Sequence, residues 1–286
     1  MRKDKSEIKK EISIIGTGKA GTSLAYSLKK KGWKILYLFD KDDSAVAESQ
    51  LIIGGGRIEN NIEKIIENGD FFVLSVPDGE LRKITKKIVG LNKSLKGKVF
   101  IQLSGSVPSK ILEPIKEKGG HTGSLHPIFP FFKKKVKIPE GTFFGWEGDE
   151  EAFKKCVKIV EDLKGKLVEI KKDKILYHLG CSIASNLLSI LYLMALEKSK
   201  EAGIEEKIAK KFLTSLSFNS ILSVEEMGWE GVTGPAVRGD KETIKNHLKK
   251  LSPIEKRIYK NILLYFIEKG YVKEAEGIIE ILKEKE

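Results

Sequence analysis

Gly16, Gly18 and Gly21 stand in the spacing Gly-x-Gly-x-x-Gly, and the chemistry that spacing serves is the holding of a pyrophosphate. Gly16 permits a sharp turn, Gly18 removes the Cβ that would keep phosphates from the backbone, and Gly21 lets a helix approach a strand closely. Thr17, Lys19 and Ala20 complete the loop and first helical turn, whose N–H groups would face the phosphates. About twenty residues on, Asp40 ends an apolar run where a carboxylate can accept hydrogen bonds from an adenosine ribose. Asp40 favours NAD, while the adjacent Lys41 keeps NADP open because a cation can meet a 2′-phosphate. The competing role for Asp40 is to cap a helix around Ser44 to Leu51.

A second group of residues has the types that hydride-transfer chemistry asks for, namely a polarising donor for a C=O or C=N and an anchor for the substrate's charge. His126 follows an apolar stretch and is the candidate donor, with a structural histidine before Pro127 as the alternative. His178 and Asn186 compete for that role, and Arg238 is the candidate anchor because guanidinium binds carboxylate bidentately. Arg238 reads as a buried cation, with pairing to Asp240 or Glu242 as the structural alternative. Val76, Pro77, Asp78 and Ser104 follow two further apolar runs and are candidate cofactor contacts.

The elements that must position these residues are legible from periodicity. Ile12 to Ile15 reads as a short buried strand opening into a helix with Leu24, Ala25 and Leu28 on its apolar face. Lys34 to Asp40, Phe71 to Val76 and Lys98 to Leu103 read as further strands, and helices follow at Leu81, Ile84, Ile88 and after Pro108. His121 to Pro127, Thr142 to Trp146 and Lys166 to Ile170 are the last strands, with a helix from about Glu150 to Leu163. This alternation predicts an α/β fold with a doubly wound parallel sheet, ligands binding at its carboxyl edge.

After Lys171-Lys-Asp-Lys174 only helical periodicity remains, so a boundary is expected there, with residues 1–171 in the dinucleotide-binding domain and 172–286 in an all-helical one. Ile175 to Leu196 is apolar enough to raise a membrane span. Against that, His178, Ser182, Ser185, Asn186 and Ser189 recur as a polar stripe, which suits a helix buried in protein with one face on a cleft. Ile208, Phe212 and Leu216 form one later seam, and Ile254, Ile258, Ile262 and Phe266 another. Ser252-Pro253-x-Glu255 reads as a capping box.

The 286 residues are 41% hydrophobic and 32% charged, enough for two cores. Net charge is +12, but the lysines are scattered among glutamates, which argues for a solvated surface and anionic small ligands rather than nucleic acid. Two cysteines and four histidines without ligand spacing predict neither a disulfide framework nor a metal site. The start, Met1 to Lys10, lacks an apolar leader, so a cytoplasmic protein is expected.

Several stretches taken together resemble one family: Gly16 to Leu28, Val76-Pro-Asp78, Ser104-Gly-Ser106, Ser124-Leu-His-Pro127, Leu176-Tyr-His178 with Ala184-Ser-Asn186, and Thr233-Gly-Pro-x-x-Arg-Gly-Asp240. They resemble the Rossmann-like oxidoreductases with a helical C-terminal domain of unknown function, described as NADP- or deazaflavin-dependent. These are distant relatives of pyrroline-5-carboxylate reductase, prephenate dehydrogenase and 6-phosphogluconate dehydrogenase. The resemblance implies a Rossmann domain, a helical domain that forms a homodimer, a cleft between the two domains and NADP. Many of its members look NADP-like after the second strand, where this chain has Asp40. The function expected is hydride transfer between NAD(P) and a small, carboxylated carbonyl or imine compound. The alternative is a dinucleotide-binding regulatory protein without that chemistry, and neither nucleic acid nor membrane is an expected partner.

Overall fold

The computed structural model describes residues 9–272 and 275–283, so Met1 to Ile8 of the chain's start lie outside the described residues. Strands β1 (Glu11–Ile15), β2 (Lys34–Phe39), β3 (Arg57–Ile58), β4 (Phe71–Leu74), β5 (Val99–Gln102), β6 (His121–Pro127), β7 (Phe143–Gly148) and β8 (Lys166–Glu169) form one sheet. Its order is β3-β2-β1-β4-β5-β6-β7-β8, and the direction of winding reverses between β1 and β4. That reversal opens a crevice at the carboxyl edge, beside the glycine loop.

The sheet is not wholly parallel as expected. Strand β7 runs antiparallel to β6, with β8 parallel to β7. The cause is the connection: residues 128–142 return without a helix to carry the chain across the sheet, and a parallel neighbour needs such a crossover.

Six helices accompany the sheet: α1 (Lys19–Lys29), α2 (Asp43–Ile53), α3 (Ile62–Asn68), α4 (Asp78–Val89), α5 (Glu113–Glu117) and α6 (Glu150–Asp162). Successive strand residues feed opposite faces. Ile12, Ile14, Val73 and Ile101 pack with Leu24 and Leu28 of α1 and Ile159 of α6, while Ile15, Phe72, Leu74 and Phe100 pack with Ile65 of α3 and Leu81 of α4. Each fully buried side chain of this kind contributes about 1.5–3 kcal/mol, so both faces must be covered and the winding must be double. The strand β3 and helix α3 were not legible because Gly54-Gly-Gly56 breaks the pattern ahead of them. After Pro108 the chain makes a 3₁₀ turn, Ser109–Leu112, before the short α5, so the expected helix begins later.

By packing, the chain separates into Met1–Leu188 and Ser189–Glu286, which is later than the expected division after Lys171. The sheet does end at Glu169, but α7 (Lys174–Ser182) packs with the sheet unit. It runs through a π-helical turn, Ile183–Leu187, into α8 (Leu188–Glu201). The stretch Lys174–Glu201 is long and apolar enough to cross a membrane by length and composition only, the feature that Ile175 to Leu196 raised in the sequence and its polar stripe argued against. Contrary to expectation it is not a buried helix: Leu176, Leu179, Ile183 and Leu193 are all at least half exposed.

The second unit contains α9 (Glu206–Met227), α10 (Lys241–Lys249), α11 (Pro253–Glu268) and α12 (Ala275–Lys283). Ile244, Ile267, Ile278 and Ile281 form its main core, and Leu196, Ala209 and Leu213 a smaller one. The expected capping box is present, with the Ser252 N–H donating to Glu255 Oε2 at 2.7 Å. Of the expected seams, Ile208, Phe212 and Leu216 are exposed, as are Ile254 and Ile262, while Phe266 is buried.

Candidate functional site

Gly16 has φ +98°, and a Cβ there would run into the Ser75 carbonyl, so only glycine closes this turn. Its N–H donates to the Phe39 carbonyl at 2.8 Å, tying the loop to the end of β2. A Cβ on Gly21 would meet the Gly16 carbonyl and, at 2.9 Å, Ser75 Cβ, which is the close approach of α1 to the sheet. Gly18 differs from both. Nothing lies within 4 Å of the Cβ it lacks, so its smallness serves no packing inside the protein and leaves the loop open to a ligand.

Gly16, Thr17, Gly18, Phe39, Asp40, Lys41, Val76 and Pro77 line a cavity of about 460 Å³ at the β1/β4 reversal. Asp40 Oδ2 accepts from the Thr17 N–H at 2.6 Å and from Thr17 Oγ1 at 3.0 Å, and Oδ1 accepts from the Asp42 N–H at 3.2 Å. It therefore braces the glycine loop. It does not cap α2; Asp42 does, accepting from Ser44 and Ala45. Lys41, Lys83, Lys87 and Lys134 line the same cavity. Lys83 is paired with Glu80 and Lys134 with Glu48, while among the described residues Lys41 and Lys87 have no carboxylate at ion-pair distance. Of the other expected contacts, Lys19 is exposed on the first turn of α1, whereas Ala20 packs against the core instead.

Further along the same edge, Asp78 is exposed at the start of α4 and Asp78 Oδ2 accepts from Ser106 Oγ at 2.7 Å. Ser104 Oγ accepts from the Val107 N–H at 3.0 Å, which shapes the turn between them. Gly105, at the centre of this turn, is buried against two histidines. A Cβ on Gly105 would lie 2.8 Å from His126 Nε2 and would also strike the His178 ring. The His126 and His178 rings are 5.9 Å apart, edge to face. Sequence reasoning singled out both, and the fold brings them together because β6 delivers one and α7 the other.

His126 is held at about 4, well below the usual imidazole value of 6.5; burial is the main cause, and the neighbouring His178 and Lys174 charges add to it against Asp78. Its ring is therefore neutral near pH 7. Nδ1 lies 2.8 Å from the Tyr177 hydroxyl. Beneath His126, Lys174 is 2% exposed and its ammonium donates to Ser124 Oγ and pairs with Glu147 at 3.2 Å. Glu147 also accepts from the Ser109 N–H. Lys174, Glu147 and Tyr177 were missed as site residues, because Lys174 sits in a lysine-rich run that resembles a solvated linker.

The remaining two candidates are placed differently. Asn186 is exposed in the π-helical turn, accepting from Ser185 Oγ at 3.0 Å. Arg238 belongs to the second unit and is exposed rather than buried, on the loop ahead of α10. Asp240 caps that helix through Thr243 and is held below the usual carboxylate range chiefly by those bonds, with Arg238 a lesser influence. Among the described residues there is no His, Cys, Asp and Glu grouping that could hold a metal ion.

A glycine loop at the winding reversal of a mostly parallel sheet, followed by a helical region, defines the class as a Rossmann-like dinucleotide-binding fold. Two family models match the chain: the Rossmann-like domain over residues 2–127 and the domain of unknown function DUF2520 over residues 142–265. The chain thus matches a Rossmann-like domain followed by a DUF2520 domain. Comparison with curated proteins gives no match. Among solved structures, it is similar to a candidate NADP oxidoreductase from Bacteroides fragilis, with TM-score 0.75 and 21% identity over 90% of this chain and 98% of that one. It is similar to an imine reductase from Myxococcus stipitatus in complex with NADP+, with TM-score 0.68 and 12% identity over 96% and 100% of the two chains. A pyrroline-5-carboxylate reductase from Coxiella burnetii aligns with TM-score 0.59 and 13% identity over 96% and 98%.

Proposed function

We propose that this protein is an oxidoreductase that uses a nicotinamide dinucleotide, NADP in preference to NAD, to interconvert a small carboxylated carbonyl or imine compound with its reduced form. The observation that carries the reading is Gly18, which has no internal reason to be glycine and opens onto a cavity on the same sheet edge as two histidines. Gly16, Thr17, Gly18, Val76 and Pro77 would hold the dinucleotide. The preference for NADP rests on Asp40 being spent on Thr17 and Asp42, while Lys41 and Lys87 face the cavity as cations for a 2′-phosphate.

When bound, the nicotinamide supplies or accepts the hydride. The chain's own part is polar. His126, neutral near pH 7, donates a hydrogen bond to the substrate's C=O or C=N, a use of neutral imidazole that avoids burying an unpaired cation. His178 flanks the same space across Gly105, and Arg238 is the reading's anchor for the substrate's carboxylate. Nicotinamide absorbance followed over a panel of keto acids, aldehydes and cyclic imines tests this. His126→Ala should lower kcat by about 10²–10⁴-fold, and Arg238→Ala should mainly raise KM. Tight dinucleotide binding with no turnover of any member would favour the regulatory alternative.

The reading includes a homodimer in the cytoplasm, without membrane or nucleic acid. Leu193 on α8 and Phe212 and Leu216 on α9 are 56%, 40% and 61% exposed, a run of apolar side chains that monomers rarely leave to water. A second copy of the chain would cover them. The membrane alternative for Lys174–Glu201 is disfavoured by its first turn, where buried Lys174 is ion-paired to the sheet.

A further inference from the structure

Tyr177 reaches from α7 to His126 through a seat shaped for its hydroxyl. The two rings meet edge to face at 5.8 Å and 89°, with the hydroxyl 2.8 Å from Nδ1. A Cβ on Gly145 would collide with that hydroxyl, so the seat exists because β7 carries a glycine there. Among the described residues, the Cys181 thiol, one turn on along α7, is the hydroxyl's other side-chain hydrogen-bond partner.

This geometry decides a proton. A neutral imidazole carries one N–H, and the nitrogen that lacks it must accept. The phenol has one hydrogen to give and two acceptors to choose from, an imidazole nitrogen and a thiol sulfur. Sulfur is the weak acceptor of the two, so the O–H points to Nδ1, and the phenol oxygen is left to receive the thiol's S–H. Burial and then Cys181 push the phenol above its ordinary value of 10.0, so it keeps its proton throughout the neutral range. In the opposite arrangement Nδ1–H would donate to the phenol, the phenol proton would be left with sulfur, and Nε2 would be a bare acceptor with nothing to offer a carbonyl or imine.

We infer that Tyr177 is a positioning residue that fixes His126 as the Nε2–H tautomer and so presents a donor on the Gly105 side of the site. Nε2 is the nitrogen nearest the empty Cβ position of Gly105, beside His178. The inference rests on the reading of His126 as the donor to substrate, but its test does not. Long-range proton–nitrogen NMR on the full chain labelled at histidine reads the tautomer directly, with the His126 ring assigned by its loss in His126→Asn. The wild type should show a protonated Nε2 and an unprotonated Nδ1. In Tyr177→Phe the two nitrogen shifts should move toward each other as tautomers mix, and in Cys181→Ala they should stay put.

In turnover Tyr177→Phe should lower kcat by about 10-fold, a fraction of what a general acid contributes, and leave the cofactor KM within about twofold. A wild-type His126 protonated at Nδ1, or Tyr177→Phe shifts identical to wild type, would overturn the inference. The wild-type measurement alone suffices should a variant fold poorly. The expected tautomer without turnover of any substrate would count against the oxidoreductase reading while leaving this one standing.

Discussion

Replacing Glu147 by Gln leaves the shape of the site almost unchanged and removes the carboxylate that, among the described residues, pairs with the buried Lys174 ammonium. The lysine side chain is 1% exposed and the glutamate 18%, with 3.2 Å between Nζ and Oε1. Breaking a buried pair from one side costs about 3–5 kcal/mol because an uncompensated charge stays behind. Ser124 Oγ and the glutamine amide oxygen still accept from the ammonium, which places Glu147→Gln at the low end, about 3 kcal/mol. For a unit of this size that is a fall in Tm of about 6–12 °C.

The pH dependence sharpens the test. Burial lowers Lys174 from its ordinary value of 10.5, and Glu147 is the main influence opposing that fall. Without Glu147 the folded-state value drops further, so between it and 10.5 the unfolded chain binds more protons than the folded one. Stability of Glu147→Gln must then rise with pH in that window, and its deficit against wild type must narrow. The double variant Lys174→Met with Glu147→Leu removes both charges and should lie within about 1 kcal/mol of wild type. Thermal unfolding from about pH 6 to pH 10 reads all three. A Glu147→Gln Tm within about 1 °C of wild type at every pH would refute the reasoning.

Gly18→Ala adds a methyl into open space, so stability should hold while dinucleotide affinity measured by calorimetry falls at least about tenfold. Lys41→Ala with Lys87→Ala should weaken NADP more than NAD; equal losses would remove these lysines from 2′-phosphate recognition. His126 stays neutral in the fold down to about 4, whereas the unfolded chain protonates near 6.5. Stability should therefore decline as pH falls from about 6.5 toward 4, by up to about 3 kcal/mol, and His126→Gln should flatten that decline. Phe212→Asp with Leu216→Asp should yield a monomer in sedimentation if α9 is covered by a second copy, and an unchanged mass would place the interface elsewhere.

Local patterns in the chain were enough for the glycine loop, seven of the eight strands and the capping box at Ser252, because each depends on neighbours a few residues apart. His126 and His178 could be named from residue type, yet nothing in their spacing says that their rings meet across Gly105. That depends on where β6 ends and where α7 folds back, both long-range outcomes. Asp40 carried the right type at the right distance from the glycines, and only the fold shows its carboxylate occupied by Thr17 and Asp42. Lys174 is the plainest case: in a run of lysines, charge density predicts a solvated linker, and burial beside Glu147, on a strand 27 residues earlier, cannot be read from neighbours in sequence. The apolar faces of α8 and α9 mark the converse limit, since periodicity shows that a helix has such a face and not what covers it.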